Sequence, residues 1–218
     1  DKKTPKKFKL RYGNYFDINL QKKLNFKFSN ICPLNSHSRK NIRYLVLAKN
    51  KNDFIVETDD DNYPKKIFFQ KRYLSHNVKK ILNNSWINIG QSITPFNSQN
   101  TTWHVSLLPL MYLPVTCTMR STDIWRSFIA IKILKLNSIN ILFNGPSVFQ
   151  KRNHHNLITD FKDEASMYIN NKMIMEILNQ TKLKKEFNNL STNLVFCYEA
   201  LIKNGFFKKK NLSTWKHG

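Results

Sequence analysis

Three consecutive carboxylates, Asp59, Asp60 and Asp61, follow a short apolar segment that runs from Phe54 to Val56. The segment has the length of one buried strand, so we expect the carboxylates at the end of that strand. Adjacent like charges are costly unless water or a cation neutralises them, and carboxylate oxygens suit Mg²⁺ or Mn²⁺. The pattern therefore predicts a divalent metal held by Asp59 and Asp61. The alternative is a solvated acidic turn before Pro64.

A basic segment upstream is expected to form the start of a helix. Residues 36–48 have apolar positions near helical spacing and a serine at their start, which places Arg39, Lys40 and Asn41 in or near the first turn. Basic side chains at a helix start suit a diphosphate, and the acidic loop suits the metal that bridges it. We therefore expect Lys40 and Asn41 to face the same cleft as Asp61.

These segments resemble the STELLO-type glycosyltransferase family, whose donor-binding half has a glycosyltransferase A-type fold with an Asp-x-Asp metal motif. The resemblance begins with Arg39-Lys40-Asn41 and the acidic segment Glu57 to Asn62. It spans nearly the whole chain through further ordered segments: Asn97 to Thr101, Tyr112 to Thr116, Arg120 to Arg126, Gln150 to Asn156, and Asp160 to Glu164. The sequence departs from the family pattern at Arg43 and Ser127, where glycines are expected, and at Lys49 to Asn52, which replaces a Gly-Ala turn.

The resemblance implies an α/β fold, a Rossmann-like mixed sheet flanked by helices. We expect a single domain over residues 1–205, with a donor-binding half at 1–105 and an acceptor and catalytic half at 106–205, followed by a basic tail at 206–218. In the family, the segment that resembles Asp1 to Pro5 directly follows the first core strand. We therefore expect that strand to be missing and the chain to be a truncated fragment.

The activity implied by the resemblance is metal-dependent transfer of a sugar from a nucleotide-sugar, a UDP-sugar, to an acceptor glycan or protein, with Mn²⁺ or Mg²⁺ as cofactor. The alternative is a catalytically impaired, transferase-like scaffold that partners a glycan-synthesising or secretory assembly. A phosphatase with Asp59 as nucleophile is disfavoured, because Tyr63 lies where such enzymes have Thr or Val. The expected metal ligands are Asp59 and Asp61, and the expected donor-binding residues are Asp1, Arg39, Lys40, Asn41, Asp60, Arg152 and His155.

The catalytic residues are expected in the second half of the chain. An inverting transferase needs a base for the proton of the acceptor hydroxyl. Asp123 is flanked at three-residue spacing by two arginines, a cluster that suits either phosphate binding or a structural ion-pair network. The alternative role of Asp123 is to cap a helix, and the acidic residues near Asp163 also fit an ordinary helix start. The predicted catalytic set is Asp123, Arg120, Arg126 and Asp163, with Asp160 and Glu164 as further candidates for the base.

The formal net charge of +22, from 36 Lys and Arg against 14 Asp and Glu, by itself suggests a polyanionic partner. However, the lysines are scattered along the chain with an equally scattered excess of asparagine, and no nucleic-acid-binding pattern accompanies them. We therefore expect no specific nucleic-acid partner, only nonspecific and salt-sensitive binding of polyanions.

No apolar run approaches the 18 residues of a membrane-spanning helix, so we expect no membrane contact from this segment itself. The resemblance nevertheless implies a Golgi protein that faces the lumen, with an anchor outside these residues and with protein partners in the Golgi. The cysteines Cys32, Cys117 and Cys197 are widely spaced, which predicts buried thiols rather than a zinc site or a disulfide framework.

Periodicity predicts several further elements. We expect a strand at Leu24 to Phe28, a helix that begins near Thr122 or Asp123, and a strand at Ile139 to Phe143. Helices are expected at about Asp163 to Asn179 and at Leu190 to Ile202, and the tail from Phe206 is expected to be mobile. Trp103, Tyr112 and Trp125 are expected in the core, with sugar or base stacking as the alternative.

Overall fold

The computed structural model describes residues 8–50, 52–69, 86–88, 93–151 and 156–215. The described helices are α1 (Ile18–Lys23), α2 (Lys27–Ile31), α3 (Lys40–Lys49), α4 (Met119–Leu136), α5 (Leu157–Gln180), α6 (Leu190–Lys203) and α7 (Lys210–Trp215). The strands are β1 (Phe54–Thr58), β2 (Asn62–Pro64), β3 (Trp86–Asn88), β4 (Asn100–His104), β5 (Ile141–Phe143) and β6 (Val148–Gln150). Short 3-10 helices occupy His37–Arg39, Lys66–Phe69, Val105–Met111 and Phe187–Asn189. The structure is therefore of the mixed α/β class.

The strands pair two by two within the described residues, as β1 with β4, β2 with β6 and β3 with β5, and each pair is antiparallel. The predicted strand before the acidic loop is confirmed as β1. Only one of its faces is buried, because Ile55 and Glu57 point inward while Phe54 and Val56 are exposed. The described strands do not form a single sheet. The expected Rossmann-like mixed sheet is therefore not supported by them.

Helix α4 lies at the centre of the core, where it packs against α5 and α6. Its first turn is capped by Thr118, whose Oγ1 accepts a hydrogen bond from Ser121 N at 3.2 Å. The helix therefore begins before the predicted start, and Asp123 lies inside it. The alternative that Asp123 caps the helix is wrong for this reason. Phe128 and Leu134 are buried as the periodicity predicts.

Most of the other predicted elements are present, with shifted bounds. Helix α5 begins at Leu157, earlier than expected, while α6 and β5 lie where they were predicted. No described helix is long and apolar enough to span a membrane.

The three predicted core aromatics, Trp103, Tyr112 and Trp125, are all buried. These aromatics therefore pack in the core and are not placed to stack on a sugar.

The strand expected at Leu24 to Phe28 is wrong. Asn25 has a left-handed backbone with φ of 57°, which interrupts an extended segment, and α2 begins two residues later. The alternating aromatics that suggested a strand instead face one core, in which Phe28 is buried and Phe26 partly so. Tertiary packing therefore overrides the local period-two pattern.

The predicted basic tail packs against the rest of the domain. Phe207 is buried, and α7 places the fully buried Asn211 beneath the segment that precedes α4. Asn211 Oδ1 accepts from Val115 N at 2.7 Å, and its Nδ2 donates to Thr116 Oγ1 at 2.7 Å. Tyr112 donates to the Asn211 carbonyl at 2.9 Å. The expectation that the tail is mobile is therefore wrong for the residues from Phe206 to the end of α7.

Substituting Asn211→Ala is expected to lower the free energy of unfolding by about 1–3 kcal/mol, because it leaves the buried Val115 N–H without an acceptor. The matched control is Asn204→Ala, which removes one exposed hydrogen bond to the Ala200 carbonyl. Urea denaturation measures both. Equal losses for the two variants would contradict the structural role of Asn211.

Candidate functional site

Five polar side chains from separate parts of the chain meet around Ser98, and we call them the Ser98 cluster: His37, Lys40, Asp59, Ser98 and Asp123. His37 lies in the 3-10 turn His37–Arg39, which Ser36 caps by accepting at Oγ from Ser38 N at 3.3 Å, and Lys40 begins α3 directly after it. Lys40 Nζ contacts Asp59 Oδ1, and it also donates to the carbonyl and the hydroxyl of Ser98, each at 3.0 Å. The lysine thus joins the helix start to the end of β1.

Asp123 reaches the same cluster from the second turn of α4. Its Oδ1 lies 3.1 Å from His37 Nε2, and its Oδ2 accepts from the backbone N and the hydroxyl of Ser98 at 3.3 and 3.1 Å. His37 Nε2 also lies 2.8 Å from Ser98 Oγ. The structure therefore places Asp123 in one hydrogen-bonded network with Asp59, through Ser98 and Lys40.

The pKa of Asp123 is set by opposing effects. Burial raises it, but the hydrogen bond and charge of His37, together with the charges of Arg126 and Lys40, lower the pKa from 3.8 to about 2. Because the folded-state value is the lower one, this carboxylate contributes stability above pH 3.8, and that contribution is lost as the pH falls towards 2. Asp123 is therefore ionised at neutral pH.

The acidic loop is held between β1 and the paired strands β2 and β6. Asp61 Oδ2 accepts from Gln150 Nε2 at 2.9 Å, and the Asp61 carbonyl accepts from Lys151 N at 3.2 Å. The other carboxylate oxygen of Asp61, Oδ1, is buried and has no hydrogen-bond partner among the described residues. Asp60 is exposed at the turn. The loop thus contains an ordinary turn and, in addition, one buried acceptor that nothing described satisfies.

A cation fits this unsatisfied oxygen, because a buried carboxylate oxygen is costly unless it is paired or coordinates a metal. Within the described residues no three His, Cys, Asp or Glu side chains group as ligands of one ion. Two carboxylates would suffice for Mg²⁺ or Mn²⁺ if water and substrate phosphates complete the coordination. The unsatisfied oxygen of Asp61 therefore has the chemistry of a metal ligand, whereas Asp59 Oδ1 is paired with Lys40 in this structure.

Asn41 does not face the cleft with Lys40, so that expectation is wrong. Its side chain is buried, its Nδ2 donates to the Leu113 carbonyl at 2.8 Å, and its Oδ1 accepts from Leu113 N at 2.8 Å. Both polar atoms are therefore used in packing α3. Arg39 likewise turns to the N-terminal helices, where its guanidinium donates to Gln21 Oε1 and to the Cys32 carbonyl.

Arg126 lies in a buried ion-pair network rather than in the Ser98 cluster. Its guanidinium donates to Glu57 Oε1 at 3.0 Å and to Oε2 at 3.3 Å, and both side chains are at most 2% exposed. Trp103 Nε1 donates to Glu57 Oε1 at 2.9 Å, and the Tyr44 hydroxyl donates to Oε2. Burial would lower the pKa of Arg126, but Glu57 raises it above its ordinary value. Of the two roles open from the sequence, these contacts favour the structural one.

Arg120 turns to the start of α5. Its guanidinium lies 2.6 Å from Asp160 Oδ1 and 3.8 Å from Glu164 Oε1. The Asp163 side chain is exposed, and its carbonyl accepts from Thr118 Oγ1 at 3.2 Å. Residues three positions before and after Asp123 lie on opposite sides of it around a helix, which is why the two arginines find different carboxylates. Neither arginine hydrogen-bonds to the Ser98 cluster.

Three of the predicted donor-binding residues, Asp1, Arg152 and His155, lie outside the described residues. Their roles, like those of the other site residues, stay predictions. Two positions that depart from the family pattern fit without difficulty, because Arg43 is exposed on α3 and the buried Ser127 Oγ donates to the Ile124 carbonyl at 2.7 Å.

Sequence reasoning missed His37, Ser98 and Glu57 as parts of these networks. His37 lies between serines at a helix start, and Ser98 lies in a polar loop, so neither carries a periodic signal. Glu57 did carry a signal, because a lone charged residue at an inward position of a strand needs a buried partner.

The described residues form a mixed α/β structure in which an acidic loop lies beside the start of α3. The family model of the STELLO glycosyltransferases matches residues 120–216, which run from the start of α4 into the end of the chain. The resemblance predicted from the sequence is confirmed over this part, somewhat less than half of the chain. Among the curated proteins none matches. The matched segment contains Asp123, while His37, Ser98 and the acidic loop precede it.

Proposed function

We propose that this chain is a metal-dependent glycosyltransferase domain that binds a nucleotide-sugar, most simply a UDP-sugar, and transfers the sugar to a glycan or protein acceptor. The observation that carries the proposal is the buried Oδ1 of Asp61, which no described residue hydrogen-bonds, in the loop that also presents Asp59. The match of residues 120–216 to a glycosyltransferase family supports the reaction class. A location in the Golgi lumen belongs to the same proposal.

In this proposal Asp59 and Asp61 hold Mn²⁺ or Mg²⁺. The ion, when bound, neutralises the negative charge that develops on the diphosphate leaving group. Lys40 contacts Asp59 in the structure, and its side chain is 12% exposed at the edge of the same loop. A bound diphosphate would give this ammonium a second anionic partner, so Lys40 would bind donor phosphate and Asp59 would be free to hold the ion.

A scaffold without turnover is the second candidate. It is favoured by the Lys40 contact, which already neutralises Asp59, and by the lack of a third carboxylate, cysteine or histidine ligand in the described part of the chain. The two candidates differ in a measurable way. A transferase releases UDP from a UDP-sugar, whereas a scaffold does not.

Calorimetric titration of UDP, with Mn²⁺ and then with EDTA, tests the proposal. We expect UDP to bind at least about tenfold more tightly with Mn²⁺, and ADP, as the matched control, to bind more weakly than UDP. Release of UDP from UDP-glucose or UDP-galactose then separates the transferase from the scaffold. Equal binding of UDP in Mn²⁺ and in EDTA would overturn the metal-dependent function.

A further inference from the structure

The imidazole of His37 is held at one of its two nitrogens. Nε2 contacts both Asp123 Oδ1 and Ser98 Oγ, at 3.1 and 2.8 Å. An ionised carboxylate only accepts hydrogen bonds, so the contact with Asp123 requires a proton on Nε2. The hydroxyl of Ser98 agrees with this assignment, because it can donate to Asp123 Oδ2 and accept from Lys40. The network therefore selects the tautomer with the proton on Nε2.

The other nitrogen of neutral His37, Nδ1, then carries a lone pair. No described residue hydrogen-bonds to Nδ1, and the His37 side chain is 16% exposed. This nitrogen is therefore a proton acceptor that the described part of the chain leaves unused. Imidazole is also the side chain best suited to exchange a proton near neutral pH.

Asp123, the base expected from the sequence, is poorly suited to that role. Both of its oxygens are occupied, one by His37 and the other by Ser98. The contacts that keep it ionised also make it a weak base, since a base is most effective when its pKa lies near the working pH. The geometry is that of a carboxylate that orients a histidine.

We propose that His37, through Nδ1, is the general base of the transfer and that Asp123 is its positioning residue. This rests on the proposed function. The acceptor hydroxyl gives its proton to Nδ1 while its oxygen forms the bond to the anomeric carbon. The bond from that carbon to the diphosphate oxygen breaks, and its electron pair leaves with the diphosphate. The imidazolium that results is stabilised by ionised Asp123.

The charged groups that share the network of His37 are Asp123 from α4 and Lys40 from α3, with Asp59 beyond Lys40. A base must be neutral to accept a proton, so a transfer that uses an imidazole base requires the unprotonated ring. That requirement produces a limb on the acidic side of the pH profile, and a variant without this imidazole should lose it.

The tautomer is tested by nuclear magnetic resonance, independently of any substrate. In ¹⁵N-labelled protein above the titration of His37, long-range ¹H–¹⁵N correlations should show the Nε2–H tautomer, with the His37 signals identified by their loss in His37→Gln. Asp123→Asn should allow the other tautomer to become populated. A proton on Nδ1 in the wild-type protein would overturn the proposal.

The kinetic test uses release of UDP from UDP-glucose or UDP-galactose with Mn²⁺. His37→Gln keeps an N–H donor for Asp123 but has no basic nitrogen, so we expect kcat to fall by roughly 10²- to 10⁴-fold, the acidic limb to disappear and the Kd for UDP to stay near wild type. The control is His104→Gln, at an exposed histidine whose Nδ1 bonds to Ser106. Turnover of His37→Gln within about threefold of wild type would overturn the assignment. A wild-type protein that does not bind UDP would instead overturn the proposed function, and the tautomer would still decide the placement of His37.

Discussion

Arg126→Met is expected to destabilise the domain by about 3–5 kcal/mol, because it leaves the Glu57 carboxylate buried and unpaired. Both partners are at most 2% exposed, so solvent does little to screen the loss. Arg126 also stacks near Phe96 and Trp103, at 5.7 and 5.4 Å from their ring centroids, and methionine replaces only part of that packing. Urea denaturation, followed by tryptophan fluorescence, measures the change.

The matched control is Arg120→Met, at an arginine whose side chain is one-third exposed and pairs with Asp160. Such a pair contributes about 0–1 kcal/mol, so the control should lose little stability. The double variant Arg126→Met with Glu57→Gln should recover part of the loss, because it removes the uncompensated charge. If Arg126→Met unfolds at the same urea concentration as Arg120→Met, the network is not what joins β1 to α4.

Asp61→Ala is expected to abolish the Mn²⁺-dependent gain in UDP affinity while leaving the fold intact. It removes a buried oxygen that has no described partner, and it loses only the hydrogen bond from Gln150. Asp59→Ala should remove the same gain, since both carboxylates are proposed ligands. This combination of lost metal dependence and retained stability separates a metal ligand from a structural residue.

Titrations of UDP with Mn²⁺ and with EDTA measure this effect, and thermal unfolding controls for the fold. Asp53→Ala is the matched control, because Asp53 is exposed just before β1 and lies at the opposite end of that strand from the acidic loop. It should retain the full Mn²⁺ effect. If Asp59→Ala and Asp61→Ala both bind UDP as the wild type does, the acidic loop is only a solvated turn.

Hydrophobic patterns in the sequence predicted the helices and strands that bury one face in the core. The apolar run before Asp59 gave β1, and helical spacing gave α3, α4 and α6, because burial of one face selects each element. The strand expected at Leu24 to Phe28 failed because the left-handed Asn25 breaks it, a feature that alternation does not reveal.

The candidate site depends on contacts between distant residues, which a single sequence does not specify. Ser98 lies 61 positions from His37 and 25 from Asp123, and no spacing rule links them. The spacing around Asp123 correctly drew attention to that residue, yet it did not show that Arg126 would turn to Glu57, 69 positions away. The sequence therefore identified the carboxylates of interest, but only the fold shows which lysine or arginine each of them contacts.

A crystal structure of the chain with UDP and Mn²⁺ tests the central claim most directly, because the anomalous signal of manganese locates the ion. We expect a manganese peak within coordination distance of Asp61 Oδ1, with Asp59 and the UDP diphosphate as further ligands. A complex in which UDP is bound, and in which the manganese peak lies elsewhere or Asp61 Oδ1 is bonded only to protein, would contradict it.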